Sequence, residues 1–184
     1  KCERSTKEGS PKKQERTHRL ISQQLVRSET DMTSITLPET FGYVILSCVA
    51  APCIATSFMG GPVMKARKEF NVQYPNLYAT PGYHKDADAF NRVQRGHQAV
   101  LVESLPSFTL SALVAGVCYP ITMSITGVAW SVGAYLFQLG YADTNLDVKM
   151  ARYKKGGMIF RLANAVAFGA CVRMSGKLLG WWSS

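Results

Sequence analysis

Two long stretches of this chain contain no charged residue, and they restrict its possible folds more than any other feature. They cover residues 41–64 and 119–142, and apolar side chains dominate both. At 1.5 Å of rise per residue, a helix of either length crosses the ~30 Å hydrocarbon core of a bilayer. Charged residues make up only 18% of the whole chain, against roughly 25% in soluble domains. The pattern predicts membrane-spanning helices over residues 41–64 and 121–142.

Two further segments predict a second and a fourth span. Residues 89–118 begin with the polar stretch FNRVQRGHQ and continue into apolar sequence that carries Glu103. An ionisable residue inside a span is a candidate site residue. Residues 157–179 contain Arg161, which we expect to face the bundle or to extend toward the membrane surface. The predicted fold class is therefore all-α, an integral membrane four-helix bundle.

Proline and glycine positions predict how these helices bend and pack. Pro52 should kink the first span, because proline removes a backbone donor. Pro120 follows directly on the second span, so spans two and three should be antiparallel neighbours. Small residues let transmembrane helices approach closely, and the third span offers Gly127, Gly133 and Gly140.

Charge and cysteine placement narrow the class of protein. The net charge is +9, but the basic residues flank apolar runs, which favours membrane surfaces over nucleic acid. Because the basic loops follow spans one and three, they should lie on the cytoplasmic or matrix side of an endoplasmic reticulum or mitochondrial inner membrane. The five cysteines are scattered, without disulfide or metal-site spacing, and no metal site is predicted.

Residues 1–39 differ from the rest, and we interpret them as a polar extramembrane arm that precedes a membrane domain over residues 40–184. The arm is rich in charges of both signs and poor in apolar residues, so it would not bury enough surface to fold alone. We expect a partner to hold it. The first residue is Lys1 rather than Met, which suggests a processed or partial chain.

Several segments resemble the MAPEG family, the membrane-associated proteins of eicosanoid and glutathione metabolism. They are KARKEFNVQYPNLY (residues 65–78), FNRVQRGHQ (residues 90–98), GVAW (residues 127–130) and Gly140-Tyr141. Within the family, the chain is most similar to the type-3 microsomal glutathione S-transferase branch. The resemblance implies a homotrimer of four-helix bundles, with glutathione as co-substrate bound between subunits, and lipophilic electrophiles or lipid hydroperoxides arriving from the bilayer.

The resemblance also implies roles for particular residues. Arg67 and Arg95 fall on positions that hold the glutathione carboxylates, for which guanidinium groups are suited. The other glutathione-binding candidates are His97, Gln98, Glu103 and Tyr141. Lys149 and Arg152 are the catalytic candidates, since a nearby cation favours the thiolate form of a thiol. Other interpretations are open: Arg67 and Lys68 as interfacial anchors, and Arg92 and Arg95 as partners of Asp86 or Asp88. His97 could instead be a hydrogen-bonded helix residue, and Tyr141 a residue of the interfacial aromatic belt.

The chain departs from the family pattern at several of these positions. Ala99 replaces an asparagine, Phe137 replaces a tyrosine, and Val148 and Lys149 stand where a thiolate-activating arginine is expected. Glu103 lies one residue late, yet it keeps the family's spacing to Pro106. This indicates one inserted residue, which a π-bulge could absorb.

Two functions are compatible with this sequence. The first is a membrane glutathione S-transferase or peroxidase, its activity weakened by the substitutions. The second is a non-catalytic, MAPEG-derived accessory subunit of a larger membrane complex, such as a mitochondrial one, in which unrelated subunits contact residues 1–39. The retained Arg67, Arg95, Gln98 and Glu103 favour the first function, and the missing asparagine and tyrosine favour the second.

Overall fold

The computed structural model describes Ser22 and residues 36–181, and nearly all of the predicted arm lies outside these residues. Within residues 36–181 all regular structure is helical. Helix α1 covers Phe41–Glu69, α2 Ala87–Gly116, α3 Pro120–Ala142, α4 Val148–Lys154 and α5 Gly157–Leu178. The four long helices are each long and apolar enough to cross a membrane. The predicted four-span, all-α fold is confirmed, while the short α4 lies in a segment that the sequence predicted to be a loop.

A π-helical turn interrupts α2 at Ala99–Ser104, which confirms the inserted residue that the sequence indicated. In a regular helix at ~100° per residue, Glu103 would lie about 80° around the axis from Arg95. Because a π turn absorbs one residue, the eight positions between them act as about seven, and the offset falls to roughly −20°. The turn therefore brings the two charged side chains onto one face.

A second π-helical turn lies in α1 at Leu46–Ala50, just before Pro52. The sequence predicted a kink at this proline. Pro52 has no N–H to donate to the carbonyl of Cys48, four residues earlier, and the Thr109 hydroxyl of α2 lies 3.4 Å from that carbonyl oxygen as a donor. The irregular turn thus has a polar contact from a neighbouring helix.

Aromatic rings from three helices fill the core of the bundle. Trp130 of α3 stacks on Phe108 of α2 with ring centroids 4.8 Å apart, and Phe160 of α5 lies 5.3 Å from Trp130. The Arg161 guanidinium lies over the rings of Phe137 and Phe160, 5.5 and 5.2 Å from their centroids. The Arg161 side chain is nevertheless exposed, so it contacts the aromatic core without being buried in it.

Glycines of α3 set the closest helix contacts. A Cβ on Gly127 would overlap the backbone of Ser47 in α1, and one on Gly133 would overlap the backbone of Phe160 in α5. A Cβ on Gly140 would lie 2.5 Å from the carbonyl oxygen of Ala151 in α4. The predicted close approach at these glycines is confirmed.

The outward surface of the long helices is apolar, as a bilayer requires. Large apolar side chains such as Phe58, Leu110, Ile125 and Phe168 are more than half exposed. In water, so much exposed apolar surface would drive aggregation or association. In a membrane it is the surface that contacts lipid, and the fold is that of an integral membrane protein.

Candidate functional site

A small polar cluster lies on the half-exposed face of α2, around its π turn. Arg95 Nη1 and Glu103 Oε1 form an ion pair, and the two side chains are 42% and 50% exposed. One helical turn after Arg95, Gln98 accepts a hydrogen bond from the Tyr78 hydroxyl at 2.5 Å. We call these four residues the Arg95 cluster, and three of them were predicted as site residues.

Tyr78 is the member of the cluster that was not predicted from the sequence. It belongs to residues 70–86, an irregular connection between α1 and α2 that we call the strap. Tyr78 belongs to one of the segments that resemble MAPEG proteins, between the predicted site residues Arg67 and Arg95, and this position was the signal that could have indicated it. A sequence does not show which side chain of an irregular loop reaches a helix, and no spacing rule applied.

Arg67 holds the strap instead of joining the Arg95 cluster. Its guanidinium donates to the carbonyl oxygens of Asn76 at 2.9 Å and Val72 at 3.4 Å. It also lies over the Tyr74 ring, 4.4 Å from the centroid. The side chain is buried, with 9% exposed, so the interpretation as an interfacial anchor is wrong. Its role in glutathione binding stays a prediction, and its hydrogen bonds within residues 36–181 go to the strap.

Asn91 of α2 fixes the strap at a second point. Its side-chain amide accepts from the Ala79 backbone N–H at 2.7 Å and donates to the Ala79 carbonyl oxygen at 3.0 Å. Ala79 is the next residue after Tyr78, and Asn76 lies two residues before it. The strap is thus pinned on both sides of Tyr78, which fixes the phenol beside α2.

Arg92 closes the end of α3. Its Nε donates to the carbonyl oxygen of Tyr141 at 3.0 Å, and its Nη2 donates to those of Asp143 at 2.6 Å and Leu146 at 3.0 Å. The last carbonyls of a helix lack partners within the helix and carry partial negative charge. A buried guanidinium satisfies both needs, so the interpretation that pairs Arg92 with Asp86 or Asp88 is wrong.

Arg95 also departs from that interpretation, because its acidic partner is Glu103. The remaining predicted binding residues lie nearby in the chain. His97 is half-buried on α2, between Arg95 and the π turn. Tyr141 is half-buried near the end of α3, and its ring stacks on that of Phe137 with centroids 6.0 Å apart. Tyr141 Cβ packs against Gly96, which brings the end of α3 alongside this part of α2.

The two catalytic candidates lie on α4. Asp147 caps this helix by accepting from the Lys149 backbone N–H at 3.2 Å, and the Lys149 side chain is exposed. The Arg152 guanidinium lies 5.2 Å from the centroid of the Tyr153 ring, and its Nε is buried without a hydrogen-bond partner among residues 36–181. Within residues 36–181, neither side chain is joined to the Arg95 cluster by a hydrogen bond or ion pair.

The bundle and its outward-facing polar cluster define the class: an α-helical integral membrane protein with four spanning helices and a charged site on one of them. The MAPEG family model matches residues 45–173, more than half of the chain. The chain belongs to the MAPEG family. Members of this family generally use glutathione and are often trimeric, so this is a membrane protein of the glutathione and eicosanoid metabolism type.

Proposed function

We propose that the protein is a membrane glutathione S-transferase or peroxidase that acts on lipophilic electrophiles or lipid hydroperoxides. The observation that carries the proposal is the Arg95–Glu103 ion pair, which is half exposed on a membrane-spanning helix. An ion pair on such a surface is costly unless something uses it. Family membership supplies the chemistry that would do so, since MAPEG proteins generally use glutathione.

The pair is complementary to the γ-glutamyl end of glutathione, which carries a carboxylate and an ammonium group. Arg95 would bind the carboxylate through charge-assisted hydrogen bonds, and Glu103 would bind the ammonium group. A ligand that offers both charges would form a new ion pair with each side chain, so neither charge would be left without a counter-ion when the internal contact opens. Gln98 and His97 supply further polar groups on the same helix.

The thiol of glutathione must lose a proton before it attacks an electrophile. We propose that Lys149 or Arg152 supplies the cation that favours the thiolate. Neither residue contacts the Arg95 cluster within the described chain, so a neighbouring copy in a homotrimer would bring one of them to the ligand. Tyr141 would line the site, and the membrane of the endoplasmic reticulum or mitochondrion would deliver the lipophilic substrate.

Calorimetric titration of the detergent-purified protein with glutathione tests this proposal. Arg95→Met should weaken binding by at least tenfold, because hydrogen bonds to charged groups contribute about 1.5–3 kcal/mol. Lys68→Met removes an exposed cation close to Arg67 and serves as the matched control, with affinity unchanged. A wild-type protein that neither binds glutathione nor conjugates it to a lipophilic electrophile would exclude the transferase function.

The second candidate is a non-catalytic accessory subunit of a larger membrane complex. Two observations favour it: Arg67 donates its hydrogen bonds to the strap, and the buried Phe137 has no hydroxyl. Isolation of the protein from native membranes in mild detergent separates the two candidates. A homotrimer is expected of the transferase, and stoichiometric unrelated subunits contacting residues 1–39 are expected of the accessory subunit.

A further inference from the structure

Tyr78 brings a phenol into the Arg95 cluster from outside the helix that carries the other members. Its hydroxyl donates to Gln98 Oε1 at 2.5 Å, and Gln98 lies about one helical turn after Arg95 on the same face of α2. The side chain is 37% exposed, so a ligand can reach it. The hydroxyl therefore lies beside the group that would attract a carboxylate, at the border between the strap and α2.

The strap holds this phenol in place before any ligand arrives. Arg67 fixes the carbonyl oxygen of Asn76, two residues before Tyr78, and Asn91 fixes both backbone polar groups of Ala79, the next residue. Three hydrogen bonds from two helices thus bracket one exposed side chain. A group that is positioned in advance loses little entropy when it binds a ligand.

We infer that Tyr78 is a ligand-binding residue of the Arg95 cluster, and this inference rests on the proposed glutathione-dependent function. When glutathione binds, the hydroxyl leaves Gln98 and donates instead to the carboxylate that Arg95 holds. The amide of Gln98 is then free to bind the peptide groups of the ligand. Phe137 of α3 stands where the family pattern has a tyrosine, and Tyr78 of the strap thereby supplies the missing hydroxyl.

The test compares two strap tyrosines by calorimetric titration with glutathione. Tyr78→Phe keeps the ring and removes the hydroxyl, so affinity should fall about fivefold, because the wild type exchanges a hydrogen bond to the neutral Gln98 amide for a stronger one to a charged carboxylate. Tyr83→Phe is the matched control, because its side chain is 83% exposed and its ring contacts His84 rather than the cluster. Its affinity should equal that of the wild type.

Two additional measurements test the position of the Tyr78 hydroxyl and its change of partner. Asn91→Ala removes the hydrogen bonds that fix the strap after Tyr78, and it should also weaken glutathione binding. In the ultraviolet, glutathione should produce a tyrosine difference spectrum in Tyr83→Phe, because the Tyr78 hydroxyl changes its partner. Absence of that spectrum in a protein that binds glutathione would contradict the inference.

The outcomes separate this inference from the function on which it rests. Wild-type affinity in Tyr78→Phe overturns the role of Tyr78 and leaves the glutathione-dependent function intact. Equal losses in Tyr78→Phe and Tyr83→Phe overturn it as well, because the effect would belong to the strap and not to one hydroxyl. A wild-type protein without measurable glutathione binding overturns both.

Discussion

Deletion of Val102 should leave the bundle folded, whereas deletion of Leu110 in the same helix should damage it. Val102 lies in the π turn Ala99–Ser104, which contains one residue more than a regular α-helical turn accommodates. Removing it converts the turn to α-helix, and residues beyond the turn keep their positions. Glu103 then follows Arg95 by seven residues, about −20° around the axis, so their ion pair is retained. Val102 is 60% exposed, so little buried surface is lost.

Deletion in the regular part of α2 instead rotates every later residue by about 100°. Leu113 would take the place of Ala112, which is completely buried. Val117 would take the place of Gly116, where a Cβ alone would lie 2.7 Å from Val44 Cγ1 in α1. Overpacking of a core costs typically 1–3 kcal/mol at each site. The two substitutions together should therefore cost about 2–6 kcal/mol.

Thermal unfolding of both deletion variants in detergent, followed by circular dichroism, measures this difference. The Val102 deletion should remain monodisperse and unfold close to the wild-type midpoint. The Leu110 deletion should unfold at a clearly lower temperature or aggregate. Equal damage in the two variants, or greater damage from the Val102 deletion, would refute the argument that the π turn stores the extra residue.

Three further predictions concern packing, capping and pH. Gly133→Ala should destabilise the fold by about 1–3 kcal/mol, because the new Cβ meets α5 backbone, whereas Gly169→Ala, with open space around it, should be neutral or stabilising in the same unfolding assay. Arg92→Met should cost about 3 kcal/mol or more, since it leaves three carbonyl oxygens, two at the end of α3 and one in the connection to α4, without this donor, and hydrogen exchange should increase there. The hydrogen bonds from Lys155 and from the Asn145 backbone N–H hold the pKa of Asp143 below its usual range. The ionised Asp143 therefore stabilises the fold fully above the ordinary carboxyl pKa, and this contribution disappears as pH falls through the lowered pKa. Lys155→Met should reduce the acid sensitivity of the unfolding midpoint.

The four spans could be predicted because apolar length is a local property of the sequence. The π turn could be predicted because Glu103 lies one residue late after Arg95 by comparison with the family pattern, while its spacing to Pro106 is kept. The close contacts at Gly127 and Gly133 were also predictable, since only small residues allow backbones to approach. The short α4 was not predicted, because the only sequence feature that indicates it is one N-capping residue, Asp147, in a charged segment.

The roles of the arginines could not be predicted, because each depends on contacts between distant parts of the chain. Arg92 finds its partners about fifty residues later, at the end of α3. Arg67 binds carbonyls whose positions depend on the path of the strap. Guanidinium groups suit ligand carboxylates and helix ends equally well, so residue type alone does not distinguish a binding role from a structural one.

The place of Arg67 has a consequence for any mutational survey of this protein. A substitution of Arg67 would release the strap that positions the Tyr78 phenol, and ligand affinity would fall although Arg67 itself does not contact the ligand. Reduced turnover in such a variant would look like the loss of a direct contact. A comparison with variants of Asn91, which restrains the same strap on the other side of Tyr78, tells the two causes apart.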